Sequence, residues 1–266
     1  MSGPLDGRVA VVTGALGRLG PVWCEALLEA GARVVALDLG TATPSDAFTR
    51  IQREAGERLI TIPADVRDRA SLETARARCK KDVGDAAVLV NNAGIDQPPG
   101  PSKTYTIEEV PVEQFHHVLD VNVTGAFQAS QVFGPDMVRA GRGSIVNIGS
   151  LYASVSPDAR FYDHLAADPP FLKPPAYGAS KAALVNLTRY LAAHWGPMGV
   201  RVNALSPGGV EGGQDAEFKR KFTSRVPLGR MAAAQDLRGP LIFLASDASS
   251  YVTGIELRVD GGFTAW

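Results

Sequence analysis

The sequence has few of the residues that mark metal sites, disulfide-rich domains and membrane proteins. Two cysteines, Cys24 and Cys79, and four histidines occur among its 266 residues, and no histidine has the spacing of a metal motif such as HExxH. We therefore expect reduced thiols and no catalytic metal. No apolar run reaches the roughly 18 residues of a membrane span, and the N-terminus lacks the basic start and apolar core of a signal peptide. These absences indicate a cytoplasmic protein.

The chain also lacks an excess of charge of either sign. Its formal net charge is −1, whereas nucleic acids and anionic membranes select for basic surfaces. We therefore expect a small-molecule partner, no nucleic acid and no membrane. With 45% apolar and 21% charged residues, the chain can bury a substantial core, and no linker divides it.

Short runs rich in β-branched residues alternate with longer amphipathic stretches, which is the pattern of parallel βαβ units. This pattern predicts an α/β fold, namely one doubly wound Rossmann domain over residues 1–266 with a seven-stranded parallel sheet flanked by helices. The predicted strands are residues 8–13, 32–38, 58–65, 86–91, 143–149, 200–206 and 255–260.

Glycines and polar residues follow these strands, where open α/β sheets bind their ligands. The loop TGALGRLG ends the first strand and opens a helix, and it contains Gly14, Gly17 and Gly20. Such a loop lets the backbone approach a dinucleotide diphosphate. Asp38, at the end of the second strand, is placed to accept hydrogen bonds from the adenosine ribose and to repel a 2′-phosphate. We therefore predict NAD, with NADP less favoured because Arg18 in the loop can attract a phosphate.

The stretch YGASK places Tyr177 and Lys181 four residues apart on one face of a predicted helix. A phenol has a pKa of about 10 and is a poor base at neutral pH. A nearby ammonium group and a bound nicotinamide cation stabilise the phenolate, and a lowering of about 3 units requires roughly 4 kcal/mol. The pair therefore indicates a tyrosine that exchanges a proton with a substrate.

Taken together with an Asn-Asn-Ala-Gly turn, a serine after the fifth strand and the asparagine of DVNVTGAF, these motifs resemble the compact members of the short-chain dehydrogenase/reductase family, over residues 9 to about 262. The resemblance implies that Tyr177 is the general acid/base and that Lys181 binds the nicotinamide ribose and lowers the tyrosine pKa. It implies that Ser150 polarises the substrate oxygen and that Asn122 holds a water that passes protons outward. It also implies a cofactor site formed by Gly14, Gly17, Arg18, Leu19, Gly20, Asp38, Leu39, Asp65, Val66, Asn92, Ala93, Gly94, Tyr177, Lys181, Pro207, Gly208 and Val210.

Alternatives stay open for two of these residues. Ser154 instead of Ser150 is the alternative partner of the substrate, and the alternative role of Asn122 is only to bond backbone groups and bend its helix. Tyr162 is a competing tyrosine, but position 166 is alanine, so it lacks the lysine and is rejected as the acid/base.

Three features depart from the usual pattern of the compact members. The middle glycine of the loop falls one place early, at Gly17, and Arg18 occupies its usual position. The segment between Ser150 and Tyr177, about residues 151–176, is longer than usual and is predicted to be a wall or lid of the substrate pocket, or else a surface or subunit-contact loop. Gly212 replaces a frequent threonine at the start of a predicted mobile substrate lid, about residues 209–228.

The sequence therefore predicts an NAD(H)-dependent oxidoreductase that interconverts a secondary alcohol and a ketone, with a weak preference for a sugar or polyol. One alternative is an NAD-binding sensor or scaffold without turnover. Another is an epimerase or dehydratase that retains its NAD. Similar proteins associate through the helices around Asn122 and Tyr177, which implies a homodimer or homotetramer.

Overall fold

A computed structural model describes residues 3–96 and 104–266. Its centre is a seven-stranded, all-parallel sheet in the order β3-β2-β1-β4-β5-β6-β7. The strands are β1 Val9–Thr13, β2 Arg33–Asp38, β3 Leu59–Pro63, β4 Ala86–Asn91, β5 Gly143–Ile148, β6 Val200–Pro207 and β7 Glu256–Val259. The predicted α/β fold and its seven parallel strands are confirmed. The strand order reverses beside β1, between β1 and β4, and this is the position where such sheets bind nucleotides.

Helices cover both faces of the sheet. They are α1 Gly20–Glu29, α2 Asp46–Ala55, α3 Arg69–Asp82, α4 Val112–Leu119, α5 Ala126–Ala140, α6 Pro175–Trp195, α7 Ala216–Thr223 and α8 Ala234–Ala245. A π-helical segment, Asp120–Gly125, joins α4 to α5. Short 3-10 turns lie at Gly56–Arg58, Ile107–Glu109, Leu151–Ala153, Ala159–Phe161, Gly196–Met198 and Asp247–Ser249. Within the described ranges, no helix is both long and apolar enough to span a bilayer.

The strands are apolar on both sides because both sides are covered. Every residue of β1 is buried, and alternate residues belong to different cores. Val12 packs with Trp23 and Leu241 on the α1/α8 side. Val11 packs with Phe133 on the α3/α5/α6 side. The continuous apolar runs in the sequence therefore reflect a three-layer arrangement.

Two contacts lock α5 to its neighbours. A carboxylate on α5, Asp136, accepts a bidentate interaction from Arg76 on α3, with both N···O distances at 2.5 Å, and it also pairs with Arg139. Gly134 faces Trp195 on α6, and a Cβ atom at Gly134 would lie 2.8 Å from the indole ring. The second core therefore depends on an ion pair at its edge and on a position where only glycine fits.

A third apolar cluster joins the 151–176 segment to α7. Phe161 and Tyr162 from this segment pack against Phe222 and Phe218 of α7, with ring centroids 5.7 Å and 5.3 Å apart. Ion pairs reinforce this contact, among them His164–Asp215 at 2.9 Å. The segment therefore lies against the predicted lid, and the two together form one wall beside the sheet. The predicted mobility of that wall stays a prediction.

Candidate active site

A cleft of about 1300 Å³ lies at the carboxyl edge of the sheet. It is lined by residues that follow β1, β2, β3, β4, β5 and β6, and by the 151–176 segment and α7. The predicted site residues that line it are Gly14, Gly17, Arg18, Leu19, Asp38, Leu39, Asp65, Val66, Asn92, Ala93, Gly94, Ser150, Tyr177, Lys181, Pro207, Gly208 and Val210. Gly20 and Asn122 are not among the lining residues. Gly20 is buried at the start of α1, where a Cβ atom would come within 2.1 Å of the Ala15 carbonyl oxygen, so this glycine permits close packing of the loop.

The glycine loop after β1 is held against the turn after β4. Gly14 has a φ of +63°, and a Cβ atom there would lie 2.6 Å from Ala93 Cα. The Asn92 and Ala93 N–H groups donate to Thr13 Oγ1 at 3.1 Å, and Asn92 Nδ2 donates to the Gly14 carbonyl at 2.7 Å. Helix α1 begins at the end of this loop without a side-chain cap. Its first N–H groups are therefore available to an anion such as a diphosphate.

Asp38 is fixed beside this loop. Its Oδ2 accepts a hydrogen bond from the Leu16 N–H at 2.7 Å, and its Oδ1 accepts one from the Leu39 N–H at 2.8 Å. A carboxylate has about four acceptor positions, so two remain for ribose hydroxyl groups. The carboxylate therefore has both the orientation and the free acceptors that its predicted role requires.

After β3, the structure adds a cleft residue that sequence reasoning missed. The Arg67 guanidinium pairs with Asp65 at 2.7 Å and lines the cleft. Hydrogen bonds from Arg67 hold the pKa of Asp65 below its usual range. Asp65 therefore presents to the cleft a carboxylate that is already neutralised by its neighbour.

Tyr177 and Lys181 lie together on the first turns of α6. Lys181 is buried, its Nζ donates to the Ile148 carbonyl at 2.8 Å, and this Nζ lies 5.6 Å from the centroid of the Tyr177 ring. The Ser150 side chain lies close enough to the Tyr177 hydroxyl to lower the pKa of that phenol. The predicted tyrosine, lysine and serine are therefore brought into one group at the end of β5.

The pKa values of Tyr177 and Lys181 in the protein alone differ from the expectation. Burial raises the pKa of Tyr177, the negative charge of Asp96 adds to the rise, and the nearby Ser150 side chain opposes it. Burial also lowers the pKa of Lys181 from the usual 10.5 to about 8. The predicted lowering of the tyrosine pKa is thus not a property of the cofactor-free protein. It requires a further positive charge, which the nicotinamide cation supplies when it is bound.

The alternative serine and tyrosine lie in other environments. Ser154 is exposed and its Oγ lies 3.4 Å from Glu256, at the side of β7. Ser150, in contrast, is buried next to Tyr177 and accepts a hydrogen bond from the Tyr152 N–H at 3.2 Å. Tyr162 lines the cleft but packs on Phe171, with the ring centroids 4.9 Å apart, and burial raises its pKa strongly. The contacts thus favour Ser150 and Tyr177.

Asn122 is buried within the π-helical segment. Its Oδ1 accepts from the Ile95 N–H at 2.8 Å, and its Nδ2 donates to the Ile95 carbonyl at 3.1 Å and to Ser180 Oγ at 3.0 Å. These bonds tie the chain after β4 to α6 through an irregular turn. The structure therefore shows the backbone-bonding role that was left open, whereas the water-holding role stays a prediction.

Two further polar residues near Tyr177 come from positions that sequence reasoning did not single out for the site. The ammonium group of Lys173, in the 151–176 segment, lies 2.6 Å from the Asp96 carboxylate and 5.3 Å from the centroid of the Tyr177 ring. The Lys173 side chain is only 7% exposed. Lys173 precedes the first residue of α6, so the i, i+4 spacing of a helix does not apply to it, and the sequence offered no signal for its position. The pairing with Asp96 is visible only in three dimensions.

One acceptor in the cleft has no partner. Gln214 donates from Nε2 to the Val210 carbonyl at 3.0 Å, while its Oε1 is shielded from solvent and makes no hydrogen bond within the described part of the chain. Buried acceptors are normally satisfied. An N–H or O–H donor on a molecule in the cleft, such as a carboxamide or a hydroxyl group, fits this atom. The polar groups that line the cleft thus suit a nicotinamide dinucleotide with an alcohol substrate.

The fold and the site define a dinucleotide-binding enzyme of the Rossmann type, and comparison with known proteins identifies its family. A family model described as "Enoyl-(Acyl carrier protein) reductase" matches residues 14–264. The chain belongs to the short-chain dehydrogenase/reductase family, and it is an oxidoreductase that acts on CH–OH groups.

Its relatives include dehydrogenases of sugars and polyols. Galactitol 2-dehydrogenase (L-tagatose-forming) of Cereibacter sphaeroides is 36% identical, over 98% of this chain and 97% of that protein. The crystal structure of a gluconate 5-dehydrogenase from Burkholderia cenocepacia in complex with NADP and tartrate has a TM-score of 0.84 and 31% identity, and covers 98% of this chain and 97% of that one. A short-chain dehydrogenase from Leptospira borgpetersenii with bound NAD⁺ has a TM-score of 0.84 and 32% identity, and the match covers 98% of this chain and 94% of that one.

Proposed function

We propose that the protein is an NAD(H)-dependent dehydrogenase that interconverts a secondary alcohol and a ketone on a neutral polyol or sugar. The observation that carries this proposal is the Tyr177 hydroxyl. It lies beside Ser150 and near the ammonium groups of Lys181 and Lys173, between the nucleotide half of the cleft and an aromatic half. An alcohol held at this position has an acceptor for its proton, a partner for its oxygen and access to a cofactor.

The cofactor half of the cleft fits a nicotinamide dinucleotide, which when bound accepts a hydride from the carbinol carbon or returns it to the ketone. The glycine loop and the start of α1 would hold the diphosphate. Lys181 would bind the nicotinamide ribose, and Asn92, Ala93 and Gly94 would border the adenosine ribose.

The proton is handled by side chains of this chain. In the oxidation direction, Ser150 holds the substrate oxygen and the Tyr177 phenolate takes the hydroxyl proton. Lys181 stabilises that phenolate through its positive charge, and Asn122 is positioned near Lys181 for a water-mediated exit of the proton. Gly94 lies against both of these groups, since a Cβ atom there would be 3.3 Å from Asn122 Oδ1 and 3.5 Å from Lys181 Nζ. Reduction uses the same groups in the reverse order.

The choice of NAD over NADP rests on Asp38. Its carboxylate is held by two backbone N–H groups at the end of β2, so it cannot turn away easily from a phosphate on the ribose. Two negative charges that lie close together repel each other, so the Asp38 carboxylate would repel the 2′-phosphate of NADP. Relatives of similar fold carry either NAD or NADP in their structures, so the choice of NAD is inferred from the charge of Asp38.

The substrate half of the cleft supports a neutral, hydroxylated substrate. Tyr152, Phe171 and Phe218 line it and offer apolar surface for the C–H faces of a sugar or a ring. Lys173 and Asp96 form its polar part as a paired cation and anion. A hydroxyl group both donates and accepts hydrogen bonds, so it matches such a pair. This arrangement supports a polyol or a sugar as substrate.

The proposed homodimer or homotetramer is supported by exposed apolar side chains on the helices that were expected to associate. Val112 on α4, Phe127 on α5 and Tyr190 on α6 are 59%, 36% and 68% exposed. Such side chains on neighbouring helices are typical of an interaction surface. Light scattering after size exclusion tests this, and a monomer would contradict it.

The central test is NADH formation at 340 nm with a panel of polyols, sugars, hydroxy acids and cyclic alcohols, supplied with NAD and separately with NADP. Tyr177→Phe should lose turnover by at least about 100-fold, since general acid/base catalysis contributes about 10²- to 10⁴-fold, while NAD binding is retained. Tyr251→Phe, which alters a fully exposed tyrosine outside the cleft, is the matched control and should behave as the wild type.

Three results would contradict the proposal. Equal turnover by Tyr177→Phe and the wild type would remove the acid/base assignment. NAD binding with no turnover of any alcohol would favour the sensor, and tightly retained NAD with no net NADH release would favour the epimerase or dehydratase.

A further inference from the structure

Two of the three departures from the family pattern, Arg18 in the glycine loop and Gly212 at the start of the predicted lid, lie next to each other in space. Arg18 Nη2 donates to the Val210 carbonyl at 2.9 Å. A Cβ atom built on Gly212 would lie 2.2 Å from this Nη2 and 2.9 Å from the Arg18 Cζ. The guanidinium group therefore occupies the space that a side chain at position 212 would fill. The arginine and the glycine are complementary in volume.

The direction of the Arg18 side chain decides which part of a dinucleotide it faces. The Arg18 guanidinium meets the loop after β6, and β6 lies on the opposite side of β1 from β2 in the sheet. Asp38 lies at the end of β2, on the other side of β1. The guanidinium is therefore directed away from the adenosine ribose and across the mouth of the cleft, where both Arg18 and Val210 are lining residues.

The position between these loops favours a diphosphate. The glycine loop and the uncapped start of α1 present N–H groups to an anion. Arg18 forms no ion pair with any carboxylate in residues 3–96 and 104–266, and a guanidinium donates two parallel hydrogen bonds to phosphate oxygens. A guanidinium has five N–H donors, so Arg18 can keep its bond to the Val210 carbonyl while its other N–H groups bind a phosphate.

We propose that Arg18 is a cofactor-binding residue that closes over the diphosphate, tying the glycine loop to the loop after β6 in the place of a side chain at position 212. The inference rests on the proposed function only in requiring a dinucleotide cofactor. It assigns no part of the chemistry or of the substrate choice to Arg18.

Binding of cofactor fragments to the full-length protein, measured by calorimetry without substrate, tests the assignment. ADP-ribose contains the diphosphate and AMP does not. Arg18→Gln should weaken ADP-ribose binding about tenfold, the loss expected for one charge-assisted contact at a partly exposed site, and should change AMP binding less than twofold. Arg78→Gln, which removes an equally exposed charge on α3, is the control and should bind both fragments as the wild type does.

A pair of substitutions tests the complementarity in volume. Because a threonine at position 212 would displace the guanidinium, Arg18→Gly should weaken ADP-ribose binding about tenfold in the wild type but less than threefold in a Gly212→Thr background. Independent, additive effects of the two substitutions would show that the two positions do not share one role, and would overturn the proposal. Thermal unfolding of each cofactor-free variant identifies any loss of folding, and Arg18→Gln provides the test if Arg18→Gly does not fold.

Other outcomes are equally decisive. Wild-type affinity of Arg18→Gln for ADP-ribose, or an equal loss for AMP, would overturn the assignment to the diphosphate. A loss confined to 2′-phospho-ADP-ribose would instead place Arg18 at the adenosine ribose and also overturn it. These results concern binding alone, so they are independent of whether the alcohol panel finds a substrate.

Discussion

Lys181 is buried with its charge, and its replacement by methionine should make the protein more stable at neutral pH. Burial lowers its pKa from the usual 10.5 to about 8, a difference of about 2.5 units, or about 3 kcal/mol. Lys181→Met removes this penalty and keeps the aliphatic stem. It also leaves the Ile148 carbonyl without its donor, at a cost of about 1–3 kcal/mol. We expect a net gain of about 1 kcal/mol at pH 7, together with the loss of turnover.

The pH dependence of this difference is the sharper test. Below pH 8 the lysine is charged in both the folded and the unfolded chain, so the full penalty of burial is present. Between about pH 8 and 10.5 the folded protein has lost the proton while the unfolded chain still binds it, so the stability of the wild type rises with pH. The lost hydrogen bond and the changed packing do not titrate, and they cancel when the two proteins are compared across pH.

Urea unfolding of the cofactor-free wild type and Lys181→Met at pH 7 and pH 9.5 measures the effect. The difference in unfolding free energy should shift by about 2 kcal/mol in favour of the wild type between these two values. An upper limit of pH 9.5 avoids Tyr177, whose pKa is raised above the usual 10. A difference that stays constant across this range would refute the argument that Lys181 carries a buried charge at neutral pH.

Three further substitutions test the remaining parts of the site and its support. Asp38→Asn should raise the ratio of kcat/KM with NADP to that with NAD by about tenfold, because one repelling charge is removed; an unchanged ratio in steady-state assays would show that this carboxylate does not select the cofactor. Gly134→Ala should lower the free energy of unfolding by about 1–3 kcal/mol, since the new methyl group overlaps the ring of Trp195, and an unaltered urea midpoint would contradict this. Asp136→Asn should lower the free energy of unfolding by about 2 kcal/mol, which is less than for a fully buried pair because Arg76 is partly exposed. A Tm equal to that of the wild type would show that the Asp136–Arg76 pair contributes nothing to stability.

Much of the fold is predictable here because its signals are local. A strand covered on both faces must be apolar at successive positions, so β1, β2 and β4 are visible as continuous runs. Residues that follow parallel strands come to one edge of the sheet whatever the rest of the chain does. That geometry is why Gly14, Asp38 and Asn92, far apart in sequence, were expected at one cleft and line one cleft.

The roles of individual polar residues were less predictable, because they depend on partners from distant segments. Asn122 was predicted to hold a water, and the structure shows bonds of its side chain to the backbone of Ile95 and to Ser180 Oγ, while the water-holding role stays a prediction. Gly20 was predicted to contact the cofactor, and the structure shows it packed against Ala15, which leaves that prediction untested. In each case the residue type allows several partners, and only the packed chain shows which of them are present.

The sequence by itself determined the strands, the glycine loop and the tyrosine–lysine pair, since each depends on residues within a few positions of one another. Only the tertiary structure decided the order of the strands, the contact of Lys173 with Asp96 beside Tyr177, the filling of the space at Gly212 by Arg18, and the burial that raises the pKa of Tyr177. Contacts between side chains and the removal of solvent around a charge are properties of the packed chain, because both require segments that the sequence keeps apart to be brought together.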